Sequence, residues 1–167
     1  NKNSKVLHLE TCSGLPKEEN RVTQSADVMA EDATVISLVA AGDINITDAV
    51  VASGGANYDF TNTFLDVAHL LADGDITVVN FEGNLCGSPY GSATRSAPQE
   101  LAQTLCNMGV DLVQLANSYA IHNGMIGLSQ TLNNIRAAGM EPVGAFSTPA
   151  EFASSKGFTM CNVRGIS

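Results

Sequence analysis

Short, nearly continuous apolar runs alternate along this chain with stretches whose apolar residues recur every three or four positions. The first run, residues 35–41, has the texture of a strand covered on both faces. Similar runs at 76–81, 110–116, 140–145 and 158–163 predict four more strands. Between them, Phe60, Phe64, Val67, Ala68 and Leu71 fall on one helical face. A second helix is predicted from Pro98 to its stop at Gly109, with Leu101, Ala102, Leu105 and Met108 inward. A third opens at 124–127, turns Leu128, Leu132, Ile135 and Ala138 inward and ends at Gly139, and a short one lies around 149–154. Alternating strands and helices are the signature of right-handed βαβ units. The expected class is therefore α/β, a mostly parallel sheet with flanking helices.

Several of these strands end on polar residues, and the carboxyl ends of parallel strands share one edge, where ligands sit. Asp43 follows Gly42 at the first end and suits either a hard metal ion or an N-cap turn. Glu82 directly follows Val78-Val79-Asn80-Phe81, a place where a buried carboxylate needs a partner. Asn80 is placed to orient Glu82 or to make a turn. The third end carries Asn117, then Tyr119 and His122. Those groups can ligate a metal or move a proton, and the same segment also reads as an Asx turn before a helix. Residues 83–96, rich in Gly, Ser and Pro, form a long loop at the same edge. Within it Arg95 either meets an anionic substrate or is simply solvated. His69 reads as a surface or core residue of its helix.

Composition narrows the choices. With 167 residues, 44% hydrophobic and 15% charged, the chain is globular and has room for one core. Eight basic against 17 acidic residues give a formal charge of -9, which repels phosphate backbones and anionic lipid. No nucleic acid partner is expected; cation binding and plain solubility both suit the acid excess. No run reaches the roughly 18 to 20 apolar residues that span a bilayer. A cleaved signal or an anchor would not show in this chain. Cys12, Cys86, Cys106 and Cys161 include no CxxC pair. Cys86 and Cys106 are either a disulfide of an oxidising compartment or small buried apolar groups.

Residues 1–33 are mixed and polar, and the apolar texture begins at Thr34. The expected organisation is a leader or remnant segment over 1–33 and one α/β domain over 34–167.

The order of motifs carries a resemblance. Gly42-Asp43-Ile44, Tyr58-Asp59-Phe60, Val79-Asn80-Phe81-Glu82, the run from Gly109 to Asn117, Gly124 with Gly127-Leu128-Thr131-Leu132, and Gly144-Ala145 together resemble the CapA-like family. These are poly-γ-glutamate capsule-biosynthesis proteins, similar to calcineurin-type metallophosphatases. The resemblance spans roughly 34–167 and implies the N-terminal half of a metallophosphatase-like sandwich. It implies divalent metal ions of the Mn, Zn or Fe type, with Asp43, Glu82 and Asn117 as ligands and Tyr119 and His122 as catalytic helpers. Ser118 stands at the family's second asparagine, Tyr119 at its histidine and His122 at its usual aspartate. A tyrosine keeps its proton near neutrality, so it is no simple replacement for an imidazole ligand. The family's later histidine motifs do not occur here, so the chain is expected to be half of such a domain, or a truncated or degenerate member. Residues 1–22, with His8 and Cys12 four apart, resemble the start of Ada-type zinc modules without their CxxC pair.

Two functions follow from the resemblance. One is metal-assisted hydrolysis or transfer in the making of a capsule or cell-surface polymer, with an anionic polymer or a phosphate-containing substrate and other capsule-biosynthesis proteins as partners. The other is a non-catalytic surface or assembly protein that keeps the fold. Either implies a cell-surface or extracytoplasmic place, membrane-associated through a segment outside this chain. An incomplete sheet would expose an edge, through which the chain is expected to form homo-oligomers.

Overall fold

The computed structural model describes Leu7–His8 and residues 34–167. The expectations for residues 1–33, including the His8–Cys12 ligand pair, lie outside the described residues apart from the backbone of β1 (Leu7–His8). The remaining elements are β2 (Leu38–Asn45), α1 (Asp48–Ser53), α2 (Thr61–Leu71), β3 (Ile76–Glu82), α3 (Glu100–Asn107), β4 (Leu112–Gln114), α4 (Gly124–Ala137), β5 (Glu141–Val143), α5 (Pro149–Ser155) and β6 (Cys161–Asn162). Strands β2 to β5 form one parallel sheet in chain order, so the α/β class and parallel sheet read from the sequence hold.

That strand order explains where the core sits. Right-handed crossovers that always step to the next strand in the same direction put every connecting helix on the same face. Val79, Phe81, Val113 and Leu115 of the sheet layer accordingly pack with Leu71, Leu101, Leu105, Leu132 and Ile135 in one buried cluster. Gly109 follows α3 at φ +94°, and a Cβ there would stand 2.9 Å from Ala72 Cα. Only glycine fits that approach between helix and helix end.

Three expectations are corrected. The strand predicted at 35–41 is not covered on both faces by the described residues: among them β2 is an edge strand, and Leu38 is 66% exposed. The sheet's second face carries Leu38, Ala40, Ile76, Val78, Leu112 and Val143, none of them buried. An apolar run records that a strand is apolar on both sides, not that both sides are covered by the same stretch of chain. Val67, expected inward, is exposed for a related reason: α2 flanks the sheet's edge and buries only Ala68 and Leu71 fully. The last predicted strand, 158–163, shrinks to β6 and pairs with β1 in a separate two-stranded parallel sheet. Cys86 and Cys106 form no disulfide; Cys106 is buried in the core, and Cys86 Sγ lies 3.4 Å from Ser96 Oγ.

One irregularity in the sheet matters for chemistry. Ala40 pairs with Val78 and Asp43 with Asn80, three steps on β2 against two on β3. Side chains alternate faces along a strand, so this bulge at Ala41-Gly42 moves Asp43 from the helix side to the open side. Beyond it Ile44 pairs with Phe81 and packs on the core, while Asp43 shares a face with Asn80.

Candidate functional site

The bulge brings Asp43 to the polar residues at the end of β3. Asn80 and Glu82 are two apart on one strand and therefore point to one face, the face that Asp43 has joined. Asn80 Nδ2 donates to Asp43 Oδ1 at 2.7 Å and to Glu82 Oε1 at 2.7 Å. One amide thus holds two carboxylates side by side. Charge repulsion would otherwise part them; the shared donor offsets it.

Asn117, just past β4, supports the amide from the other side. Its Nδ2 donates to Asn80 Oδ1 at 2.9 Å and to Phe81 O at 2.8 Å, and its Oδ1 accepts from the Tyr119 N–H at 3.0 Å. Asn117 therefore reaches the carboxylates through Asn80, with its own oxygen engaged in an Asx turn. Gln114, paired with Asn80 in the β3–β4 register, adds an amide whose Oε1 is buried without a hydrogen-bond partner.

Tyr119 and His122 stand on the turns after Asn117. Their rings meet edge to face with centroids 6.0 Å apart, and His122 Nε2 makes a long 3.4 Å contact to Ala93 O. Arg95 stacks over the Tyr119 ring at 4.1 Å, and its Nη2 donates to the Tyr119 hydroxyl at 3.0 Å. The strand-end residues singled out in the sequence thus come together as a carboxylate pair, an amide relay and a tyrosine–histidine–arginine flank. His69 is exposed on α2 and takes no part in these contacts.

The long loop is a built element rather than a slack connection. Asn84, fully buried, donates from its side chain to Ala120 O and accepts at Oδ1 from Asn123 Nδ2 at 2.7 Å. Thr131 Oγ1 accepts from the Leu85 N–H, and Asn134 Nδ2 donates to Leu85 O. These ties fix the loop to α4. Asn84 and Asn123 carry no sequence signal as determinants of the site, because nothing in local polarity separates a loop clamp from a solvated amide; Thr131 stands only in the motif run that carries the family resemblance. A groove of about 390 Å³ between Leu85, Gln99 and α4 contains none of the strand-end residues.

The donor set at the carboxylate pair is two anionic oxygens with neutral amides behind them, a combination that fits a hard divalent cation. Among the described residues no group of three His, Cys, Asp or Glu side chains gathers to hold a metal, and no imidazole reaches the pair. Again among the described residues, no helix is long and apolar enough to cross a membrane.

A search of curated proteins found no match for this chain. Residues 37–166 match the family described as bacterial capsule synthesis protein PGA_cap, which takes in the whole four-stranded sheet and all the strand-end residues. The capsule-biosynthesis resemblance of the motifs thus becomes membership: the chain belongs to the bacterial capsule synthesis protein family PGA_cap.

Proposed function

We propose that this chain carries a metallophosphatase-like, metal-assisted hydrolase or transferase site that acts on a capsule or cell-surface polymer of the poly-γ-glutamate type. The observation that carries the reading is the clamp of Asp43 and Glu82 by the single Asn80 amide. Holding two carboxylates together on an exposed sheet edge opposes their charge repulsion, and a divalent cation is the ligand that turns this repulsion into attraction. Asp43 and Glu82 would hold the ion, and Asn80 and Asn117 would orient them. When bound, such an ion activates water at neutral pH and polarises a carbonyl or phosphoryl oxygen.

The chain's own residues do the rest. Asn80 keeps both carboxylates aimed, one N–H on each. The Tyr119 hydroxyl, which accepts from Arg95, keeps its own proton for donation toward the substrate. His122 lies edge-on beside Tyr119 as the second helper position. The substrate is an anionic polymer or a phosphate-containing molecule, other capsule-biosynthesis proteins are its partners, and the site works outside the cytoplasm.

Metal content is the test. The wild-type chain is expected to bind Mn(II) or Zn(II) stoichiometrically, measured by equilibrium dialysis and elemental analysis, and both Asp43→Ala and Glu82→Ala are expected to lose it. Metal retained in either variant overturns the assignment. One observation favours a second reading, a non-catalytic surface or assembly protein: among the described residues the site has only two carboxylates and no imidazole ligand. That reading expects no stoichiometric metal in the wild type and no release of γ-glutamyl products or phosphate.

A further inference from the structure

Arg95 has a geometry that a solvated loop arginine does not need. Its backbone is left-handed at φ +50°, a conformation that disfavours a residue with a Cβ. The loop enforces it: Asn84 N–H donates to Arg95 O at 2.7 Å. The fit is close enough that a Cβ on Gly83 would stand 2.6 Å from Arg95 O and 2.5 Å from Ile46 Cγ1. The side chain is fixed as firmly as the backbone. Its Nη1 donates to Ile46 O at 3.4 Å, its Nη2 to the Tyr119 hydroxyl at 3.0 Å, and the guanidinium lies over the Tyr119 ring.

This position adjoins the strand ends. Ile46 follows Asn45, the register partner of Glu82, and Tyr119 N–H hangs on Asn117, which in turn holds Asn80. Among the described residues no carboxylate lies within ion-pair distance of Arg95; the ion pairs there are those of Arg136 and Arg164. A half-buried guanidinium therefore stands without an anionic partner, with two of its five N–H donors engaged. The Tyr119 oxygen accepts from Arg95, so its own O–H remains to donate.

We propose that Arg95 and Tyr119 form an oxyanion-binding pair that takes a carboxylate or phosphate group of the substrate beside Asp43 and Glu82. The planar guanidinium fork matches either anion, and stacking on Tyr119 pre-sets it, so little side-chain freedom is lost on binding. The site is local: the chain as a whole carries -9 and repels anions elsewhere. The proposal rests on reading the strand ends as a substrate site, but it needs no metal.

Calorimetric titration in EDTA separates the two. Inorganic phosphate and the dipeptide γ-glutamyl-glutamate are titrated into the wild type, Arg95→Gln and Tyr119→Phe at low salt. The wild type is expected to bind one or both; phosphate alone assigns a phosphate-bearing substrate, and the dipeptide alone assigns a carboxylate. Arg95→Gln is expected to weaken that binding by at least about tenfold, the loss of a charge-assisted pair. Tyr119→Phe, which keeps the ring under the guanidinium and so protects the fold, is expected to weaken it by about three- to tenfold. His69→Ala, an exposed position on α2 outside the site, is expected to leave anion binding intact. Wild-type protein that binds neither probe, or Arg95 and Tyr119 variants that bind as the wild type does, overturn the proposal; absent metal binding with Arg95-dependent anion binding overturns only the metal assignment.

Discussion

Asn80 Nδ2 lies 2.7 Å from Asp43 Oδ1 across the β2–β3 pair, although the two residues are brought to one face only by the bulge before Asp43. The same nitrogen meets Glu82, and its partner oxygen is held by Asn117. An amide fixed at both ends sets the carboxylates in place before any ligand arrives. Such outer-shell partners typically account for about 10–100-fold in metal affinity. Asn80→Ala is therefore expected to weaken Mn(II) binding by about that factor while Asp43 and Glu82 remain. Dialysis against graded Mn(II) checks it, and unchanged affinity would mean that the carboxylates position themselves.

Thr131 tests the loop that carries Arg95. Its Oγ1 accepts from the Leu85 N–H at 2.9 Å and donates to Gly127 O at 2.7 Å, with Thr131 and Leu85 both buried. Thr131→Val keeps the shape and removes the acceptor, leaving a buried N–H unpaired. The expected loss is about 1–3 kcal/mol. Urea unfolding measures it, and an unchanged midpoint would show that the loop can turn the Leu85 N–H toward water.

The alternation of runs and helical faces made the sheet, its order of elements and three of its helices legible, because period and burial are linked through one shared core. Leu101, Ala102, Leu105 and Met108 were read as one face and all are buried. What failed to show was coverage. Leu38 reads like Val79, since both are apolar within apolar runs, yet one is 66% exposed and the other fully buried. Which side of a strand receives a helix is set by crossover handedness and strand order, not by the strand itself. The site was legible in the same uneven way. Asp43, Glu82 and Asn117 stood out by their place at strand ends, whereas the one-residue bulge that turns Asp43 toward Asn80 has no signal beyond Gly42. Arg95 stood out only as a charge in a loop; its left-handed backbone and its bed on Tyr119 come from long-range ties to Asn84.

Glu151 makes the docking of α5 pH-dependent. Burial raises its pKa, but the Ser147 N–H and O–H and the Arg136 guanidinium outweigh that and hold the carboxyl below its usual range. A carboxyl depressed in the folded state adds stability above its unfolded pKa, about 4.3, and loses it as pH falls through the lower folded value. Stability is thus expected to be unaffected by this group between about pH 5 and 7 and to fall below about pH 4. Glu151→Gln removes that part of the acid slope. Urea midpoints of both proteins from pH 7 down to pH 3 check it; identical slopes would exclude Glu151 as a contributor.

Leu38 marks where the chain should meet another molecule. It is 66% exposed on edge strand β2, and its face continues through Ala40, Ile76, Val78, Leu112 and Val143, none buried among the described residues. A parallel sheet is usually covered on both faces, and an uncovered apolar edge is a template for pairing. Self-association of the chain is therefore expected to rise with concentration in light scattering. Leu38→Lys places a charge on the edge, the device that natural sheets use against pairing. Because Leu38 packs on nothing in the core cluster, the variant is expected to fold with unchanged circular dichroism and to shift toward monomer. If the wild type stays monomeric as concentration rises, the open face is covered from within the chain, and Leu38→Lys should then lower the melting temperature instead.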